Sequence, residues 1–231
     1  MARKLDGPRI VPPAGVKARH LVVLLHGYGA DGNDLIELAG LWRQLLPDAA
    51  FVAPNAPERI PGSPFGYQWF GLERYDPEML RRDPQHAAVT YREMEQGAVG
   101  ARDDLQQFLD SELARLGLPG DRLALVGFSQ GTMMSLYCGL RRNVPPAGIV
   151  GFSGALVGGE RLADEIRCTP PVMLVHGDSD DVVPIEAMFS AASGLAAANV
   201  SVQWHICRGL GHGIDPEGVK IAGGALKTWL R

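Results

Sequence analysis

The sequence predicts an α/β protein with a mostly parallel central sheet and helices on both faces. Short apolar runs rich in β-branched residues recur along the chain, and stretches of helical periodicity separate them. Length adds a third observation. At 231 residues the chain can bury one sizeable core, and no linker, repeat or low-complexity tract divides it. One domain spanning residues 1–231 is therefore expected.

The first run, "HLVVLLHGYG", is continuously apolar over residues 21–25, as a strand buried on both faces should be. "FVAPNAP" repeats the pattern at residues 51–53. "GARDDLQQFLDSELARLG" places Ala101, Leu105, Leu109, Leu113 and Leu116 on one helical face, with Gly117 as cap and Pro119 as stop. "RLALVGF" is the next strand, and "TMMSLYCGL" returns to helical spacing through Met133, Leu136, Tyr137 and Leu140. "AGIVGF" and "PVMLVHG" are two further strands, residues 184–198 a helix, and "VSVQWHIC" the last strand. In the closing helix Asp215 caps, Pro216 takes the first position, and Val219, Ala222, Leu226 and Trp229 face inward. Residues 55–92 break the alternation and read as one long connection, which its aromatics Tyr67, Trp69, Phe70 and Tyr75 argue is ordered.

Composition narrows the function. With 46% hydrophobic and 21% charged residues and a net charge of -4, the chain has the make-up of an ordinary globular protein. It has no dense Lys/Arg run, so nucleic acid is not an expected partner. The basic start is not followed by an apolar stretch, and no run is long enough to span a membrane. Cys138, Cys168 and Cys207 are too few and scattered for a disulfide framework or zinc site, so they are expected to be free thiols in a cytoplasmic protein. No cofactor or metal is expected. A small-molecule substrate is, and a homodimer remains open.

The chemistry centres on a serine. Gly-Phe-Ser occurs twice, each time after a strand. Ser129 lies in a complete G-x-S-x-G, "GFSQG", between a strand and a helix, the setting of a nucleophile elbow. The flanking glycines let the chain reverse sharply, and the next amide falls at a helix N-terminus. Ser153 lies in "GFSGA", where the fifth position is Ala155 and a glycine-rich loop follows. It is expected beside the crevice at the strand ends, without reacting.

A serine hydroxyl needs a base, and the base an orienting acid. On this architecture the order is Ser, acid, His. His176 precedes the acids of "HGDSDD" and His205 lies within the last strand, whereas His212 occupies a glycine-rich loop before the last helix. Spacing does not choose among Asp178, Asp180 and Asp181.

"LHGYGADG", "GFSQG", "HGDSDDVVP" and "GLGH", in that order, resemble the phospholipase/carboxylesterase family of α/β-hydrolases, and the likeness runs from about His20 to the end. The resemblance implies the α/β-hydrolase fold and a Ser129–Asp180–His212 triad, with Asp181 second to Asp180. It also implies an oxyanion hole of the backbone N–H groups of Tyr28 and Gln130. The family often has leucine where Tyr28 stands, so the pocket beside it is expected to differ in shape. The implied substrates are carboxylic esters, read first as short- to medium-chain esters, with lysophospholipids or protein thioesters as alternatives between which the sequence does not choose.

The interval between Phe152 and Pro171 is too short for a separate lid domain, so the site should be open. Trp69, Phe70 and Leu72, with Phe65 and Tyr67, either form its apolar wall or anchor a long loop. A peptidase or dienelactone hydrolase on the same scaffold is a rival enzyme. A non-catalytic hydrolase-like binding protein is a rival of another class, although no triad member is missing. Activity should rise from mildly acid to neutral pH as the base loses its proton.

Overall fold

A computed structural model describes residues 2–231, with Pro84 described by its backbone alone. Its strands are β1 (Arg9–Ile10), β2 (His20–Leu25), β3 (Ala49–Val52), β4 (Glu58–Arg59), β5 (Tyr67–Gln68), β6 (Leu123–Phe128), β7 (Gly148–Phe152), β8 (Val172–Gly177) and β9 (Val202–Cys207). Its helices are α1 (Gly32–Trp42), α2 (Pro77–Arg82), α3 (Pro84–Leu116), α4 (Gln130–Gly139), α5 (Leu162–Glu165), α6 (Ile185–Ala197) and α7 (Pro216–Trp229).

Seven strands form one sheet in the order β1-β3-β2-β6-β7-β8-β9. Only the edge strand β1 runs antiparallel to its neighbour. The apolar runs of β2 and, up to Gly127, of β6 are buried because both faces of the sheet are covered. Alternate residues serve different cores. Leu21, Val23 and Leu25 pack with residues of α3, α4 and α6, while Val22 and Leu24 pack with residues of α1 and α7. This is the α/β-hydrolase architecture.

Three features differ from the sequence reading. First, α3 begins at Pro84, well before residue 101. Asp83 caps it by accepting from the Gln85 and His86 N–H groups, and Pro84 takes the first turn. Gly97 is no breaker here: any Cβ would overlap Phe70, so the glycine marks where the preceding segment crosses the helix. Second, residues 55–92 are not one irregular connection. They contain the β4–β5 hairpin, α2 capped by Asp76, and the first turns of α3. Third, α4 shows no polar face, because every residue from Gln130 to Gly139 is buried.

Candidate active site

β6 delivers Ser129 to the carboxyl edge of the sheet. Its backbone sits at φ 53° and ψ −117°, a strained conformation for a residue with a Cβ. The neighbouring glycines make the turn possible. A Cβ on Gly131 would overlap the Leu25 carbonyl oxygen, and one on Gly127 would overlap the Gly131 carbonyl. The strain is held by an N–H bond from Ser129 to the Phe152 carbonyl at 2.8 Å. The Thr132 hydroxyl lies 2.8 Å from both the Gly127 and Phe152 carbonyl oxygens. Gln130 opens α4, so its N–H has no intrahelical carbonyl to reach and forms part of the helix's positive end.

Ser153 ends β7 with φ 44°, also in the left-handed region. It is 1% exposed, and its hydroxyl has no partner among the described residues. Gly154 packs against Thr132 and the Ser129 carbonyl. Ser153 is therefore more deeply buried than Ser129, which is 9% exposed, and no helix follows Ser153 directly.

β8 carries the acid turn. Asp180 alone of the three aspartates turns inward, its side chain fully buried. Its Oδ1 accepts from the Val182 and Val183 N–H groups at 3.0 and 2.8 Å. Its Oδ2 lies 2.8 Å from His212 Nδ1. Burial opposes the negative charge. Hydrogen bonds from His176, His212 and the Val183 N–H outweigh it and hold the carboxyl well below the usual carboxylate range. Asp178 is exposed and accepts from Gly209, which ties the histidine loop to the acid turn. Ser179 N–H to the Leu210 carbonyl adds a second strap.

His212 is thus paired through Nδ1, and Asp180 makes no claim on its Nε2. Its ring lies 4.9 Å, centre to centre, from that of Phe128, the residue before the elbow serine. The structure brings His212 to Asp180 directly and to the elbow through Phe128. His205 is elsewhere, beside Glu217.

The glycine-rich loop after β2 presents Tyr28, and among the described residues its N–H meets no acceptor. His26 pins this loop from within. Its Nε2 accepts from the Ala56 N–H at 2.9 Å, so the proton sits on Nδ1, 2.8 Å from the Gly27 carbonyl. Burial lowers the His26 pKa and keeps the ring neutral, as these bonds require.

Trp69 and Phe70 do not form an open wall. They are 1% and 4% exposed, and Leu72 is half-buried against the same core. The Trp69 indole donates to the His26 carbonyl at 3.0 Å, so it anchors the segment. Phe65, by contrast, is largely exposed.

Sequence reasoning missed the second use of Gln130. Its side chain is fully buried; Oε1 accepts from the Trp69 N–H and Nε2 donates to the Phe70 carbonyl, both at 2.8 Å. One residue thereby joins the elbow to the β5 segment, and through Trp69 to the His26 loop. Gln130→Ala should strand two buried backbone groups at roughly 1–3 kcal/mol each. Urea unfolding should show that loss, together with reduced turnover. A midpoint equal to wild type would remove the clamp. The α2 region was also missed: Tyr75 Oη donates to the Val182 carbonyl at 2.7 Å, and Arg81 reaches the Asp180 carbonyl at 3.3 Å. No sequence motif marks bonds to a distant main chain.

No cluster of three or more His, Cys, Asp or Glu residues spaced for a metal ion occurs among the described residues. Nor is any helix among them long and apolar enough to cross a membrane.

A family model described as phospholipase/carboxylesterase matches residues 5–230. The chain is 30% identical to acyl-protein thioesterase 1 of Gibberella zeae, over 92% of this chain and 93% of that protein. It is 25% identical to esterase YpfH of Escherichia coli, over 89% of this chain and 81% of that protein. Among solved structures, the crystal structure of esterase PE8 superposes with a TM-score of 0.88 at 44% identity, covering 99% of this chain and 100% of that one.

Proposed function

The chain belongs to the phospholipase/carboxylesterase family and is a carboxylic ester hydrolase, and from that premise we propose a serine esterase working through Ser129, His212 and Asp180. The observation that carries the reading is the Asp180–His212 pair at 2.8 Å, its carboxylate fully buried, on the sheet edge where Ser129 sits at a strained φ of 53°. Ser129 Oγ attacks the ester carbonyl while His212 Nε2 removes its proton. Asp180 fixes Nδ1–H and stabilises the imidazolium. The N–H groups of Tyr28 and Gln130 receive the oxyanion, and each such donor is worth about 3–4 kcal/mol where it has been measured. His212 then protonates the leaving alcohol. Water repeats the attack on the acyl-enzyme and frees the acid.

The apolar side chains that support an acyl-binding surface are the exposed ones, in place of Trp69 and Phe70. Tyr28, in the loop after β2, and Val182, in the acid turn, are both exposed. Met79 projects from α2, and Phe65 precedes Gly66, which abuts Gly29. Exposed apolar side chains on these segments support a reading of short to medium acyl chains on an open surface. A cavity of about 760 Å³ lies to one side, between the start of α3, the loop after β7 and α6. Neither Ser129, Asp180 nor His212 lines it, so its size does not make it the reaction site.

Hydrolysis of p-nitrophenyl esters from acetate to palmitate tests this reading. A maximum at butyrate to octanoate is expected. A steady rise to palmitate would favour the lipid and thioester substrates suggested by the thioesterase relatives. The same assay gives the pH profile. Because Asp180 stays ionised throughout the neutral and mildly acid range, one imidazole proton should govern the acid limb. kcat/KM should climb with slope one as that proton leaves and then level off. A slope of two would mean that a second group must also lose a proton.

A further inference from the structure

We propose that His176 is a positioning residue for this reaction, holding the acid turn so that Asp180 Oδ2 stays aimed at His212. The inference rests on the triad reading above. Its order in the chain, before the acids, rules His176 out as the base. Order says nothing about support.

His176 is the penultimate residue of β8, and its side chain is 1% exposed. Its Nε2 lies 2.8 Å from the Val183 carbonyl and 3.4 Å from Asp180 Oδ2. Both neighbours are oxygens, so Nε2 carries the proton and donates. Val183 is engaged from both ends: its N–H goes to Asp180 Oδ1 and its carbonyl receives His176. The carboxylate is thus locked through Oδ1 by main-chain N–H groups and through Oδ2 by His212, while the His176 N–H that holds the Val183 carbonyl stands 3.4 Å from Oδ2. Of the two imidazoles, only His212 lies on the histidine loop.

The charged and titratable groups around the carboxylate are few. They are His176 on β8, His212 from the loop before α7, and Tyr75 and Arg81 from the α2 region. Asp178 and Asp181, on the same turn, are exposed, and Asp178 is engaged by the Gly209 N–H. Removing the His176 donor leaves more of the carboxylate's charge to His212. That favours the imidazolium and moves the acid limb of the rate profile to higher pH. It also frees the turn to drift, and a misplaced catalytic group can cost about 100-fold.

The test compares His176→Leu, His176→Gln and His176→Asn for kcat, KM and pH profile, with Asp180→Asn in parallel. A glutamine amide reaches the place of Nε2, whereas an asparagine amide falls short. His176→Leu should lower kcat about 10- to 100-fold with KM little changed, and should shift the acid limb upward. His176→Gln should recover most of both. If the leucine variant does not fold, the glutamine and asparagine variants decide, and asparagine should show the kcat loss and the shift. An unmoved acid limb, a glutamine variant as poor as leucine, or near wild-type kcat without the donor would overturn the proposal while leaving the triad intact. Unimpaired turnover in Asp180→Asn would instead bring down the triad reading, and this inference with it.

Discussion

Ser129→Ala is expected to lower ester turnover by several orders of magnitude, on the scale of the roughly 10⁶-fold losses seen when other triads lose their nucleophile. Alanine keeps the Cβ, so the elbow's backbone strain and the Phe152 and Thr132 bonds that hold it remain. The folded state should therefore be retained, and the loss should fall on kcat. Ser153→Ala is the control. Its hydroxyl is buried without a partner among the described residues, so its removal should cost little stability and little activity. Steady-state hydrolysis of p-nitrophenyl butyrate, with thermal melts, measures both. Loss of turnover from Ser153→Ala, with Ser129→Ala active, would exchange the two roles.

Asp180→Asn should lower kcat by about 10⁴-fold, the size of the wrong-tautomer effect in another serine hydrolase. The geometry supplies the reason. The main-chain donors of Val182 and Val183 keep the amide oxygen at the Oδ1 position. The amide NH₂ then faces His212 Nδ1, which must accept. The imidazole proton moves to Nε2, and the ring can no longer take one from Ser129. Asp178→Asn and Asp181→Asn should act weakly, since both side chains are exposed. A larger loss from Asp181→Asn would shift the acid by one residue.

The sheet was legible because its strands are covered on both faces, and a doubly covered strand leaves an unbroken apolar run. Ser129 was legible because a tight reversal demands glycines at fixed offsets. The choice of Asp180 was not a matter of spacing. Three carboxylates share one turn, and only folding reveals that a single one points inward to two N–H groups and two imidazoles. The start of α3 was written in Asp83 and Pro84, but Gly97 and Gly100 masked it. Gly97 is required by the close passage of Phe70, a demand arising outside the helix. The Gln130 clamp left no local trace, because its partners are main-chain atoms some sixty residues away.

The pairing of β2 with β6 sets Leu21 beside Leu123 at the middle of the sheet. The two oxyanion amides proposed here follow directly from these strands, one at the end of each. A nascent chain therefore cannot bring them together until the whole excursion through α1, β3, the hairpin and α3 has been synthesised. Closing so long an interval is entropically costly, and parallel pairing of this kind is slow and exposes apolar edges meanwhile. Ester hydrolysis should thus be among the last properties to appear during refolding, after most helical signal has returned.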